Sequence, residues 1–234
     1  MQPGLYLVAT PIGNLADLSS RALEILREAT LILAEDTRHT RKLLSRYDIH
    51  TPLQSSHAHN EARQTDALVR RIRDGAAVAL VTDSGMPCIS DPGARTVAAC
   101  RAAGLPVWGV PGPSAVTLGL ALSGFPADRF VFEGFLPVKS GGRARRIETW
   151  REEERTVVFF ESPHRLLRLL GELHEMLPDR LVFVGRELTK HYEEHLLGHP
   201  AELLAAFEGR AVKGECVVLI APCSFQFKDN APRP

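Results

Sequence analysis

Ala77-Val78-Ala79-Leu80-Val81-Thr82 runs directly into Asp83-Ser84-Gly85-Met86-Pro87-Cys88-Ile89-Ser90-Asp91-Pro92-Gly93. The first stretch is uncharged and shows no alternation of polar and apolar positions. That is the pattern of a strand covered on both faces, as in a parallel sheet flanked by helices. The second stretch holds two aspartates, two serines, two prolines and two glycines. Ligands of open α/β sheets bind beyond the carboxyl ends of the strands. Loops held by a rigid scaffold commonly carry function. A long, stiff, polar loop at this position therefore predicts a binding site, not a mere connector.

Outward from this core the pattern repeats. Leu5–Thr10, Leu31–Ala34 and Val107–Val110 are further apolar runs of strand length. Helical periodicity links them. Asp17 and Ser19 can cap a helix to about Glu28, and Thr37–Tyr47, Ala62–Asp74, Ala94–Ala103 and Ser114–Ser123 follow, with Gly75 and Gly104 as stops. Gly124–Asp128 reads as a connector, after which the pattern restarts. Strands are predicted at Phe130–Glu133, Thr156–Glu161, Leu181–Glu187, His191–Leu197 and Glu215–Ala221. Helices are predicted at Arg143–Trp150, His164–Met176 and Pro200–Phe207. Alternating strands and helices mean an α/β fold with a mostly parallel first sheet. The second half has more strands per helix, so its sheet should be mixed. The expected organisation is an N-terminal α/β domain over 1–123, a C-terminal α/β domain over 124–223, and a tail over 224–234.

Composition bounds the function. Of 234 residues, 44% are hydrophobic, enough for a proper core, and the formal net charge is zero. No apolar run reaches the roughly 20 residues of a membrane-spanning helix, and no secretion signal opens the chain. Cys88, Cys100, Cys216 and Cys223 form no C-x-x-C pair. They read as reduced thiols of a cytoplasmic protein. Zero net charge counts against a nucleic-acid partner, which needs positive surface, but the charge is unevenly spread.

Several other strand ends carry candidate chemistry. Thr10-Pro11-Ile12-Gly13-Asn14 can bring backbone close to a ligand, though a plain strand-to-helix turn fits it as well. It is no G-x-G-x-x-G fingerprint, and the chain has no P-loop. Val110-Pro111-Gly112-Pro113-Ser114-Ala115 brings a strand to a helix N-terminus, which suits a polar ligand group. Glu35-Asp36-Thr37-Arg38-His39-Thr40-Arg41-Lys42 sets two acids before a basic cluster. The acids fit a helix first turn; Arg38, His39, Arg41, Lys42 and Arg46 fit a phosphate-contacting patch. His57 and His59 lack a third metal ligand, so no metal is expected. Lys139-Ser140-Gly141-Gly142-Arg143-Ala144-Arg145-Arg146 is a basic turn. Glu161-Ser162-Pro163-His164-Arg165 is a polar strand end opening a helix, and Lys213-Gly214-Glu215 precedes the last strand.

In order along the chain, ATPIGNL, AEDTR, DSGMPCISDPG, VPGPSA, EGFLP, FFESPHR and KGE resemble the tetrapyrrole methylase superfamily. AEDTR followed by HTRKLL resembles its ribosomal-RNA-modifying branch. The resemblance runs from about Gly4 to Ala221. It implies two domains with S-adenosylmethionine in the cleft between them, a homodimer, and 2′-O-ribose methylation of a cytidine in 16S ribosomal RNA, free or within the small ribosomal subunit. By matching motifs, the cofactor would touch Pro11, Ile12, Asp83, Ser84, Gly85, Met86, Ser114, Ala115, Phe160, Lys213, Gly214 and Glu215. Met86 and Cys88 make the long loop bulkier than the family's usual Gly-Thr-Pro-Gly form.

Methyl transfer from a sulfonium needs orientation of the acceptor oxygen and a base for its proton. Asp36, Glu61, Glu161 and His164 are the candidate bases, and sequence does not choose among them. Arg38, Arg41, Lys42, Arg143, Arg145, Arg146 and Arg165 are the expected RNA contacts, segregated from acids such as Glu152, Glu153, Glu154, Glu172 and Glu175. The rival readings are a precorrin-type tetrapyrrole methyltransferase and a non-catalytic RNA-binding protein. Aromatic residues make up only 6% of the chain, with no interleaved aromatic and basic run for stacking bases, which weakens the second rival.

Overall fold

Val78 and Leu80 point to one face of a sheet and Ala77, Ala79 and Val81 to the other, and both faces are covered. This is β4 (Ala77–Val81), buried at every position. The fold is that of a computed structural model, which describes residues 1–56 and 61–227, with backbone alone for 61–63. β1 (Gly4–Val8), β2 (Leu31–Ala34), β3 (Leu53–Ser55) and β5 (Val107–Val110) complete a five-stranded sheet in the order β3-β2-β4-β1-β5. All its pairings are parallel. The strand β3 is absent from the sequence reading.

Helices cover both faces of this sheet. α1 (Ser20–Glu28) starts where Ser19 Oγ accepts from the Ala22 amide at 3.1 Å. With α2 (Thr37–Arg46) it buries Leu26, Leu43 and Leu44 beside Val8 and Ile32. On the other face α3 (Glu61–Arg73) and α4 (Ala94–Ala102) set Leu68, Ile72 and Cys100 against Leu5, Leu33 and Leu80. α4 begins after Gly93, whose φ is +127°. A Cβ there would lie 2.7 Å from Leu80 Cδ2 and 2.8 Å from Cys88 Sγ. The long loop can rejoin the helix only through glycine.

The second unit holds α5 (Ala115–Ser123), β6 (Phe130–Phe135), α6 (Ser140–Glu148), β7 (Thr156–Glu161), α7 (Pro163–Met176), β8 (Val182–Arg186), β9 (Glu194–Gly198), α8 (Pro200–Ala206) and β10 (Cys216–Ile220). Its sheet runs β6-β7-β10-β8-β9 and is mixed. β6 and β7 are parallel; the other pairings are antiparallel. Trp150, Phe159, Leu166, Leu169, Leu173 and Phe207 fill the core on one face. α5 lies on the opposite face, where Gly119 lets the helix approach Leu219 and Val217; a Cβ there would meet each at 3.1 Å. For that reason the chain divides between Ser114 and Ala115, ahead of the boundary expected after residue 123.

Candidate functional site

The carboxyl ends of β2, β4, β1 and β5 are neighbours in the first sheet, and their loops are tied together. Thr10 and Gly85 exchange two backbone hydrogen bonds, at 2.9 and 3.2 Å. Thr10 Oγ1 donates to the Thr82 carbonyl at 3.1 Å. The Asp36 amide donates to Asp83 Oδ1 at 3.1 Å, and Thr82 Oγ1 donates to Glu35 Oε2 at 3.1 Å. Gly112 closes the β5 loop over β1; a Cβ would sit 2.9 Å from Ala9 Cβ. Pro11 and Ile12 are buried in this edge, Asp83, Met86 and Ser114 are half-buried, and Ser84 is exposed. Gly85 has a φ of +83°, and the non-glycine residues Cys88 and Ser90 hold φ of +71° and +65°. Backbone strain of this kind costs roughly 1–3 kcal/mol per residue and clusters at functional sites.

Three carboxyl groups, Glu35, Asp83 and Asp91, share the edge. Burial pushes the Asp91 carboxyl up to about 6, and the negative charges of Glu35 and Asp83 push the same way against a hydrogen bond with Thr82. Such an edge repels a pyrophosphate. It suits a ligand with cationic groups and hydroxyl donors. S-adenosylmethionine, with its sulfonium, its ammonium and its ribose diol, fits this donor set.

Asp36 caps α2, with Oδ1 accepting from the Arg38 amide at 2.8 Å. Its carboxyl is ion-paired to Arg38 at 2.7 Å. The Arg38 guanidinium holds it far below the usual carboxylate range, which makes it a weak proton acceptor. The side chain of Glu61 lies outside the described residues, as do His57 and His59. Among the described residues no group of three His, Cys, Asp or Glu is placed to hold a metal ion. No helix there is long and apolar enough to cross a membrane.

In the second unit Glu161 ends β7 with a fully buried side chain. Its Oε1 accepts from the Ser162 amide at 2.7 Å and from Arg165 Nε at 2.6 Å, while Oε2 is buried without a hydrogen-bond partner. Ser162 Oγ caps α7 through the His164 amide, and His164 is exposed. Ala115 opens α5, and Phe160 is half-buried between Phe132 and Phe135. The segment Lys213–Glu215 is locked from a neighbouring turn. Glu187 Oε1 accepts from the Glu215 amide at 2.9 Å and from Lys190 Nζ at 2.8 Å. Lys190 Nζ also reaches Glu215 Oε2 at 2.9 Å. A Cβ on Gly214 would overlap the Glu187 carboxyl. The sequence reading missed Glu187 and Lys190, because their pairing with Glu215 exists only once β8 lies beside β10.

The basic residues divide sharply. Arg143 is 2% exposed. The Nε–Nη2 edge of its guanidinium donates to both carboxylate oxygens of Glu172, at 2.5 and 2.6 Å, and Nη1 donates to the carbonyls of Pro137 and Val138. It is an internal brace and not an RNA contact, and Glu172, expected apart from the basic residues, is its partner. Arg165 is turned inward onto Glu161 and the Leu136 carbonyl. Arg146 is half-exposed and paired with Glu133 at 2.5 Å. Arg38, Arg41, Lys42 and Arg145 are exposed. Among the described residues Arg41, Lys42 and Arg145 have no carboxylate partner.

The family model for tetrapyrrole (corrin/porphyrin) methylases matches residues 4–204. The chain therefore belongs to the tetrapyrrole methylase family. It is 46% identical over 217 residues to the ribosomal RNA small subunit methyltransferase I of Thermotoga maritima, covering 93% of this chain and 97% of that protein. Proteins of the same name from Xylella fastidiosa and Pseudomonas aeruginosa are 48% and 45% identical, each over 93% of this chain and over 81% and 78% of their own lengths. Among solved structures, the methyltransferase CobJ superposes with a TM-score of 0.69 at 18% identity, covering 94% of this chain and 95% of that one. A uroporphyrin-III C-methyl transferase from Thermus thermophilus, complexed with S-adenyl homocysteine, gives 0.60 at 20% identity, covering 92% and 96%. These structures share the fold.

Proposed function

We propose that this chain uses S-adenosylmethionine to methylate small-subunit ribosomal RNA, at the ribose 2′-oxygen of a cytidine in 16S ribosomal RNA. The observation that carries the reading is the 46% identity to a ribosomal RNA small subunit methyltransferase I along 97% of that protein. The tied strand ends of the first sheet support it. Pro11, Ile12, Asp83, Ser84, Gly85, Met86 and Ser114 are the residues of that edge proposed to hold the cofactor. When bound, S-adenosylmethionine supplies a methyl group already activated on a sulfonium.

The chain's own work is then to hold the cofactor, orient the ribose and accept its proton. His164, exposed at the opening of α7, is the proposed acceptor, with Glu61 as the second candidate; Glu161, fully buried and paired with Arg165, is a poorer one. Asp36 is the poorest of the four, because Arg38 keeps its proton affinity low. Arg38, Arg41, Lys42 and Arg145 are the proposed phosphate contacts. Following the family resemblance, the working form is proposed to be a cytoplasmic homodimer. Light scattering that returns a monomer mass would rule the dimer out.

The test is transfer of labelled methyl from S-adenosylmethionine to small ribosomal subunits, with the product mapped by resistance of the modified ribose to alkaline cleavage. One protected cytidine in 16S RNA is the expected result. Label on a base, or transfer to a uroporphyrin-type ring but not to the subunit, would sink the assignment.

A further inference from the structure

Strand alternation would send Phe135 the same way as the half-buried Val131 and Glu133. The pairing of β6 with β7 breaks that alternation. Phe132 faces Val158 and Phe135 faces Phe160, so β6 takes three steps where β7 takes two. The extra residue is a bulge, and Gly134 holds a φ of +64° within it. Bulges re-aim side chains and recur beside functional sites. Here the bulge leaves the Phe135 ring 60% exposed.

The ring is exposed but not loose. Its centroid lies 5.6 Å from that of Phe160, which in turn meets Phe132 edge-on at 5.1 Å. The chain beyond it is held from inside. Leu136 is buried, and its carbonyl accepts from Arg165. The Pro137 and Val138 carbonyls accept from Arg143 at 3.2 and 3.1 Å. Two inward arginines, each anchored on a carboxylate, thus fix a short segment whose outward side chains are Phe135 and Val138, the latter 75% exposed.

Positive charge borders this segment. Lys139 follows Val138 directly and is exposed. Arg145 folds back along α6, placing Nη1 3.8 Å from where a Cβ of Gly141 would be. Among the described residues neither has a carboxylate partner. A rigid exposed ring flanked by free cations is the arrangement that holds an unpaired nucleotide: the ring takes the base face and the cations take the phosphates.

We propose that Phe135 is a stacking platform for one unpaired base of the RNA substrate, with Lys139 and Arg145 on the flanking phosphates. The proposal rests on the RNA reading above and adds the residue that grips the base.

The test measures affinity of the full chain for small ribosomal subunits, and for a single-stranded pyrimidine RNA oligonucleotide, across a salt series. Phe135→Leu keeps apolar bulk and removes the π face; Phe135→Trp keeps it. Phe135→Leu should weaken binding about tenfold at every salt concentration, because stacking neutralises no phosphate. Phe135→Trp should bind like the wild type. The double variant Lys139→Gln/Arg145→Gln should instead flatten the salt slope. S-adenosylmethionine affinity and melting temperature should stay at wild-type values in all three. Wild-type affinity in Phe135→Leu would overturn the platform while leaving the RNA substrate standing. So would a changed oligomeric state with unchanged RNA affinity, which would assign the ring to a contact between copies. A wild-type protein that binds neither RNA would overturn the substrate reading and the platform together.

Discussion

Burial, reinforced by the negative charges of Glu35 and Asp83, holds the proton of Asp91 up to about pH 6. A folded-state pKa raised above the ordinary 3.8 has a definite sign: the native state binds more protons than the unfolded chain between the two values. Stability from this group is therefore complete below about pH 4 and lost as pH rises through 6. Asp91→Asn removes the ionisation. The cofactor-free variant should melt above the wild type at pH 8, with the difference vanishing near pH 4; a constant difference across that range would mean that neither burial nor the neighbouring carboxylates hold the Asp91 proton. Asp83 has a separable role. Asp83→Asn keeps an oxygen for the Asp36 amide, so melting should hardly move, yet it removes the charge. Calorimetry should show S-adenosylmethionine affinity falling by about tenfold or more, the value of a hydrogen bond to a charged group. Equal loss of stability and affinity would make Asp83 a structural residue alone. The composition of the long loop marks Asp83 as a ligand-facing strand end. The pairing of Asp91 with Glu35 is invisible in the sequence, because it exists only once β2 lies beside β4.

At the scale of the element, α6 shows where reading charge along a chain breaks down. Lys139–Arg146 reads as a basic turn, but helical geometry sends Arg143 inward and Arg145 outward. Arg143→Ala should destabilise the protein by about 3 kcal/mol in urea titration, since removing one partner of a buried pair strands the other. Glu172 is 18% exposed, which keeps the cost at the low end of such losses. Arg143→Met with Glu172→Leu should recover most of it. A loss below about 1 kcal/mol, typical of a surface pair, would contradict the burial. Continuous apolar runs were readable without tertiary information, and β2 and β5 match their expected bounds residue for residue. The strand β3 was not, being three half-buried residues directly after Pro52 at a sheet edge. α5 was seen as a helix but not assigned to its sheet. A helix apolar on all sides gives no direction, and what decides is the bare backbone of Gly119 against β10. The bulge of β6 left no sequence signal beyond a glycine, and for that reason the exposed aromatic ring was missed.

For the molecule as a whole, the question is how a chain with no net charge holds a polyanion. The ion pairs answer much of it. Arg143, Arg146 and Arg165 are matched by Glu172, Glu133 and Glu161 within the second unit, and Arg38 by Asp36 within the first. Counting arginines therefore overstates the positive surface, and net charge understates it, because Arg41 and Lys42 on α2 and Lys139 and Arg145 at α6 are exposed and, among the described residues, have no carboxylate partner. Each phosphate contact to single-stranded RNA steepens the dependence of log affinity on log salt by about 0.7. Replacing Arg41 and Lys42 together by glutamine should flatten that slope by about 1.4, and replacing Lys139 and Arg145 should do the same. Arg143→Met with Glu172→Leu removes a buried positive charge together with its partner carboxylate and should leave the slope unchanged. Arg38→Gln should have an intermediate effect, since Asp36 already neutralises part of its charge. Apart from Arg38→Gln, whose ion-pair partner Asp36 is tied to Asp83, these substitutions leave the strand ends of the first sheet untouched, so S-adenosylmethionine affinity should hold in them. A slope that responds to Arg143 but not to Arg41 and Lys42 would mean that the RNA lies on a different surface, and that burial does not govern which charges count.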